Sequence, residues 1–266
     1  MDLVRPAAVA GTFYPSDPVG LRTNVETLLA ATPRRDLDLE PRMVIAPHAG
    51  YVYSGPVAAH AYQALAKRLA SAPRVLLLGP SHFVGFHGLA TVTARALETP
   101  LGQLAVDAEL SGVAAAHAIV GSDDAAHARE HSLEVQLPFL QVTEGDISVV
   151  PLVTGTTEPE DVADVLGDLL EVPAVSAVIS SDLSHFLDST TAQRRDSRTG
   201  DLITTLHPEA LRSSDACGCT AIQAALLVAQ RLSWGCRLLD MRNSADTVGG
   251  RERVVGYGAF VIGPVC

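Results

Sequence analysis

The 266-residue sequence predicts an α/β fold, a mostly parallel or mixed central sheet with helices on both faces. Three observations carry that prediction. Apolar runs such as Met43-Val44-Ile45-Ala46 and Val75-Leu76-Leu77-Leu78 are continuous rather than alternating, as expected of strands covered on both sides. Segments with helical spacing fall between these runs. Hydrophobic residues make up 47% of the chain, enough for a sizeable core. No repeat, low-complexity tract or long linker interrupts the pattern, so residues 1–266 read as a single domain.

In chain order, an irregular start containing Gly11-Thr12-Phe13-Tyr14-Pro15 leads into a helix over 18–31, with Ser16 or Asp17 as its cap. Residues 42–46 read as a strand and 55–69 as an Ala-rich helix. Strands follow at 74–79 and 89–93, then a helix at 107–117. Leu133, Leu137 and Leu140 have near-helical spacing within 131–141, broken by Pro138. A strand at 147–153 precedes a helix at 158–171, with Val162, Val165, Leu166 and Leu169 on one face. Residues 174–180 read as another buried strand. A helix over 217–232 turns Ile222, Leu226 and Ala229 inward, and strands at 236–241 and 253–262 close the chain.

The net charge of −11 argues against nucleic acid as a partner, because phosphate binding needs clustered cations. The basic residues are 18 Arg and a single Lys, Lys67. The N-terminus lacks the apolar core of a signal peptide, and no stretch approaches the roughly 18 apolar residues of a membrane span. A cytoplasmic location without membrane association is expected. Cys217, Cys219, Cys236 and Cys266 are then expected as thiols rather than disulfides.

Three residues stand out by position. His48 and His82 each follow a buried strand at a Gly/Pro-rich turn, in Ala46-Pro47-His48-Ala49-Gly50-Tyr51 and Gly79-Pro80-Ser81-His82. Cys217 sits at the start of a helix, where the dipole and free N–H groups favour a thiolate. In open α/β sheets, sites form outside the carboxyl ends of the strands. Two imidazoles and a thiolate meeting there would make a three-ligand metal site with open positions. Taken singly, each histidine could be satisfied by the backbone and the cysteine could be a small buried hydrophobe. Cys219 could take either role of Cys217, so the third ligand is open between them.

Two further constellations lie near strand ends or helical turns. Asp182 and His185, in Ser180-Ser181-Asp182-Leu183-Ser184-His185, suit an acid/base histidine backed by a carboxylate. The plainer reading is a helix cap and an exposed histidine. His131 and Glu134 are three residues apart and share a face if that segment is helical. They suit a pocket-lining pair, with a solvated surface as the plainer reading. His127-Ala128-Arg129-Glu130-His131 also matches the H-x-x-E-H pattern of inverted zinc peptidases, a minor alternative through His127, Glu130 and His131. Its flank Ser122-Asp123-Asp124-Ala125-Ala126 looks like a loop, which disfavours a helical ligand pair. Phosphate-binding glycine loops and the G-x-S-x-G nucleophile elbow are not found.

These segments together resemble the Memo-like family, whose bacterial and archaeal members are called AmmeMemoRadiSam system protein B. The matching stretches run in order from Arg5-Pro6 and Gly11-Thr12-Phe13-Tyr14-Pro15 through the His48 and His82 loops, Glu130-His131-Ser132-Leu133-Glu134, the Asp182/His185 segment and Cys217-Gly218. The resemblance implies a fold like that of class III extradiol dioxygenases. It implies iron or copper held by His48, His82 and Cys217, and the soft thiolate makes zinc an alternative. The cysteine replaces the usual carboxylate, and a soft thiolate speaks against transferring ring cleavage. His185 is then expected as acid/base residue, with His131 and Asp182 also catalytic and Asp182 holding His185. Phe13, Tyr51, Ser81 and Glu134 are expected to contact substrate. The expected function is a redox or oxygen-dependent enzyme on a small aromatic or anionic substrate. The rival is a non-catalytic binding module for an acidic or phosphorylated ligand or a partner protein. The family name implies a radical SAM protein and an AMMECR-type protein as partners.

Overall fold

The computed structural model describes residues 4–143 and 146–266. In chain order its strands are β1 (Val4–Arg5), β2 (Met43–Ala46), β3 (Arg74–Pro80), β4 (Leu89–Thr91), β5 (Ala96–Thr99), β6 (Gly102–Val106), β7 (Val120–Ser122), β8 (Ser148–Thr154), β9 (Val175–Ser180), β10 (His185–Leu187), β11 (Gly235–Asn243) and β12 (Val254–Gly263). The helices are α1 (Pro18–Ala31), α2 (Tyr51–Leu69), α3 (Ala108–Ala115), α4 (Asp124–Ala128), α5 (Leu137–Val142), α6 (Pro159–Glu171), α7 (Ser189–Thr204) and α8 (Cys219–Arg231).

The twelve strands form one sheet whose main path runs β1-β5-β6-β8-β3-β9-β2-β12-β10. Its centre, β6-β8-β3-β9-β2, is parallel throughout. The antiparallel pairings of β12 with β2 and of β5 with β6 make the sheet mixed. This is the expected fold class, consistent with an extradiol-dioxygenase-like architecture.

Strand alternation divides the interior into two layers. Val44, Ala46, Val75 and Leu77 pack with Leu21 and Val25 of α1, Val57 and Leu65 of α2, and Phe139 of α5. Their neighbours Met43, Ile45, Leu76 and Leu78 pack on the other face with Val162 and Leu166 of α6 and Ile222 and Leu226 of α8. Successive side chains on a strand point to opposite faces, so a strand buried on both sides must be apolar at every position. Each fully buried aliphatic side chain contributes roughly 1.5–3 kcal/mol, which is why these runs fix the layering.

Several elements differ from their sequence expectation. Helix α2 begins at Tyr51 rather than 55, because Gly50 occupies the cap and the Tyr51 N–H donates to Phe13 O at 2.8 Å. Pro138 starts α5 instead of breaking a helix, sitting in the first turn where no N–H is required. Asp123 caps the one-turn helix α4 where a loop was expected, accepting from Ala125 N and Ala126 N. Helix α7 has no sequence counterpart. Its polar face is broad, but Ala192, Asp196, Thr199 and Ile203 are buried against the rest of the fold. Among the described residues, no helix is long and apolar enough to cross a membrane.

In the sheet, β9 lies between β3 and β2. The carboxyl ends of these three adjacent parallel strands therefore deliver the loops of His82, Asp182 and His48 side by side. Short connections after each strand leave these residues no freedom to sit elsewhere.

Candidate metal centre

His48 is almost fully buried, at 1% exposure, immediately beyond β2. Its backbone N–H donates to Asp182 Oδ1 at 2.8 Å, and its ring Nδ1 lies 2.8 Å from Ser180 Oγ. The Ser180 hydroxyl donates to Ser132 O at 2.6 Å, so it must accept from His48 Nδ1–H. That assignment leaves the lone pair of His48 on Nε2. Gln136 completes the support, donating to Ser180 Oγ at 2.9 Å and to Pro47 O at 3.0 Å.

His82 is fixed in the same sense by Glu130. One Glu130 oxygen accepts the His82 backbone N–H at 2.6 Å and the other accepts its ring Nδ1–H at 2.8 Å. The same carboxylate accepts the N–H groups of His131 at 2.9 Å and Ser132 at 2.8 Å. Burial pushes the Glu130 carboxyl up, but the His82 ring and backbone together with the Ser132 N–H outweigh it and hold it at about 2. Glu130 is thus an ionised, buried acceptor that orients His82 with Nε2 outward.

One donor atom from each of His48, His82 and His131 lies within 4.8 Å of the others, a cluster able to hold a metal ion. The His82 and His131 rings stack at 4.5 Å, and His48 meets both edge-on at 5.2 and 5.4 Å. Burial, with the neighbouring His82, lowers the His131 imidazole to about 4. Burial followed by His82 and His131 lowers His48 well below its ordinary range. The His48 and His131 rings are therefore neutral near pH 7, as metal ligation requires.

Cys217 sits next to this cluster without joining it. Its Sγ is 3.3 Å from His48 Nε2 and 3.3 Å from the Asp182 N–H, with Ser181 Oγ at 3.8 Å. These contacts draw the sulfur toward the β9 side of His48, away from His82. Burial, then the Asp182 carboxylate, pushes the thiol up to about 12. The helix-dipole expectation of a favoured thiolate is thereby reversed, because α8 starts two residues later and desolvation dominates. Cys219 packs into the α8 side of the core, and burial pushes its thiol up to about 11.

Asp182 does not hold His185. Its carboxylate accepts the N–H groups at the His48–Ala49 turn, and burial raises it to about 7. His185 instead bonds through Nδ1 to Leu183 O at 2.8 Å. A carbonyl only accepts, so Nδ1 carries the proton and Nε2 the lone pair. Burial lowers His185, against the pull of that carbonyl, and the neighbouring His82 adds to the lowering. His185 is therefore a neutral base at the rim of the cluster.

The residues expected to contact substrate divide. Phe13 lies against His131 with ring centroids 4.7 Å apart, forming a wall of the site. Ser81 borders the cavity that also reaches Cys217, its hydroxyl donating to Val84 O at 2.7 Å. Glu134 is turned away, because both its oxygens are consumed by the N-terminal segment. Its partners are the Arg5 guanidinium, the Tyr14 hydroxyl, Ala8 N at 2.8 Å and Val9 N at 2.9 Å. Tyr51 is buried, with its hydroxyl donating to Val135 O at 2.7 Å. The peptidase pattern does not assemble either: His127 is buried with Nε2 2.8 Å from Ala90 O, while His131 faces His48 and His82. Ser180, Ser132 and Gln136 were not legible as site residues. Their one signal is polarity within otherwise buried segments, the end of β9 for Ser180 and the turn leading into α5 for Ser132 and Gln136.

A family model described as Memo-like protein matches residues 5–261. A MEMO1 family protein of Aquifex aeolicus is 33% identical, covering 96% of this chain and 97% of that protein. One from Methanosarcina mazei is 34% identical over 97% and 99% of the two chains, and one from Methanopyrus kandleri 36% over 97% and 98%.

Proposed function

This chain belongs to the Memo-like protein family, and from that membership together with the site geometry we propose that it is a metal-dependent redox or oxygen-using enzyme acting on a small anionic or aromatic substrate. The observation that carries the reading is the tautomer control. His48 and His82 are each locked at Nδ1 by an acceptor, which turns their Nε2 lone pairs toward a common point beside His131. A histidine merely filling a core has no need of such orientation, whereas metal ligands almost always have it.

The donor set fits an ion. His48 and His82 would hold it with Cys217 or His131 as third ligand; Cys217 already touches His48 Nε2. Imidazoles with a thiolate suit iron or copper, with zinc the non-redox alternative. A redox metal bound here would supply electron transfer or oxygen activation. The protein's own residues would do the rest. His185 Nε2 would accept a substrate proton, and Phe13 would cover the His131 side and limit water. Asp182 would keep His48 in place through its backbone N–H. A reducing cytoplasmic setting suits the four free cysteines.

Purification without oxygen, followed by metal analysis of wild type, His48→Ala and His82→Ala, tests the binding claim. About one ion per chain, lost in both variants, is expected; full metal content in the variants would overturn it. Oxygen uptake by the iron-loaded protein with catechols tests turnover, and silence across such substrates would favour a non-catalytic binding module.

A further inference from the structure

We infer that the cleft along the second half of α2, remote from the histidine cluster, is a separate binding site that takes an organic phosphate with an apolar body. The inference goes beyond the proposed function and does not depend on it.

The cleft has a volume of about 1000 Å³ and runs between α2 and the 33–41 segment that links α1 to β2. Sites for small molecules span roughly 300–1,000 Å³, so it has room for a whole ligand. Tyr51 starts α2 beside the His48 turn, whereas Arg68 lies seventeen residues further along the helix. At about 1.5 Å per residue that is roughly 25 Å, too far for one small molecule to occupy both places.

Two dibasic pairs face this cleft. Arg34-Arg35 comes from the loop after α1, and Lys67-Arg68 from the last turn of α2. Four of the chain's 19 Lys and Arg thus converge here, although its net charge is −11. Among the described residues the acids on the wall are Asp36 and Glu40, and Glu40 is already taken by Arg68 at 3.0 Å. Arg34, Arg35 and Lys67 make no ion pair and no side-chain hydrogen bond with the described residues. Lys67 and Arg68 also meet the negative end of the helix dipole, which accounts for them without a ligand. Arg34 and Arg35 have no such reason to be there. Cations gathered in a cleft focus positive potential and draw in anions. Two pairs call for a group with more than one negative charge, as a phosphate monoester carries near pH 7, and the planar guanidinium matches its oxygens.

The rest of the cleft is built for more than a bare anion. Leu39, Tyr62 and Leu239, all buried in the fold, also line it and give it an apolar floor. His60 lines the same space at 8% exposure, and its imidazole makes no hydrogen bond with the described residues. Asp240 Oδ2 stands 3.7 Å from His60 Nε2, beyond bonding distance. Burial lowers the His60 imidazole against the pull of Asp240, and the charges of Arg35 and Arg242 add to the lowering. The ring is therefore neutral near pH 7 and offers one N–H and one lone pair to a polar atom of the ligand. Cations at the rim, an apolar floor and one neutral polar side chain among the buried residues are the mixture expected of a small-molecule site.

The test is calorimetric titration of the full chain with 2-naphthyl phosphate, with 2-naphthol as the uncharged body and inorganic phosphate as the bare anion. Saturable binding of 2-naphthyl phosphate is expected, weakening as salt is raised, with both controls at least about tenfold weaker. The double variant Arg34→Gln, Arg35→Gln should weaken that binding about tenfold, the worth of one good charge-assisted contact. Both arginines are exposed, so its thermal unfolding should match wild type. Arg22→Gln, an exposed cation outside the cleft, should bind as wild type does. So should His48→Ala, which keeps the metal centre out of the reading. Absence of saturable binding, equal affinity for either control, wild-type affinity in the double variant, or loss of binding in His48→Ala would overturn the site. None of these outcomes bears on metal content, so this inference and the metal proposal stand or fall separately.

Discussion

Glu130 grips His82 at two points, the backbone N–H at 2.6 Å and the ring Nδ1 at 2.8 Å, so the imidazole can neither rotate nor change tautomer without breaking a charge-assisted bond. The predictions below follow from this contact and its neighbours.

Glu130→Gln should lower metal affinity by about 10–100-fold, the usual effect of removing a carboxylate that orients a histidine ligand. The amide keeps the shape but loses the charge and can turn its NH₂ toward Nδ1. Competition against a chelator measures it, and wild-type affinity would show that His82 is oriented by packing alone.

Cys217 and His131 compete for the third ligand position, and proton release tells them apart. The Cys217 thiol, pushed up to about 12, must lose its proton to ligate, whereas the His131 ring is already neutral. Unbuffered metal addition near pH 7 should therefore release about one proton per ion from wild type and none from Cys217→Ser. Equal release from both would assign the position to His131. If the thiolate ligates, affinity should also rise steeply with pH.

Acid sensitivity of the metal-free protein should fall in two windows. His131 titrates near 6.5 ordinarily and at about 4 when folded, so its unfolded form binds a proton first and stability declines as pH falls from 6.5 toward 4. Glu130 is lowered from 4.5 to about 2, so its contribution is complete above 4.5 and is lost as pH falls toward 2. Urea unfolding across pH should show the upper window flattened in His131→Gln and the lower one in Glu130→Gln. Parallel curves for all three proteins would refute the assignment.

Arg5→Ala should destabilise the chain by about 3–5 kcal/mol, because it leaves the Glu134 carboxylate buried without its counter-charge. Arg5 also donates to His127 O at 2.9 Å and Glu130 O at 2.7 Å, tying the N-terminal strand to the segment that carries His131. Chemical denaturation checks the magnitude; a loss below about 1 kcal/mol would mean the pair behaves as an exposed one.

How much was legible varies by residue. The runs at 43–46 and 75–78 declared buried strands because burial on both faces admits only apolar side chains. Ser16 and Asp17 together declared a helix start, and the structure gives the cap to Asp17, which accepts from Gly20 N. Helix α7 gave no such signal, since its polar composition is tolerated by contact with β11 and β12 rather than driven by its own periodicity. At the site, the strand-end positions of His48 and His82 marked them, but the partners of the carboxylates were not legible. Asp182, expected to hold His185, binds the His48 turn, and Glu134, expected to contact substrate, binds the N-terminal segment.

The sequence by itself determined the α/β layering and which loops end the parallel strands, because both follow from local periodicity and burial. Only the tertiary structure decided which donor meets which acceptor. The order β3-β9-β2 is a long-range pairing that sets Ser180 against His48, and the packing of the Glu130 and Cys217 segments onto these strand ends places Glu130 on His82 and the sulfur of Cys217 beside His48. Contacts across 48 to 169 residues leave no trace in local spacing, since they depend on how the chain is assembled and not on any segment's own preference.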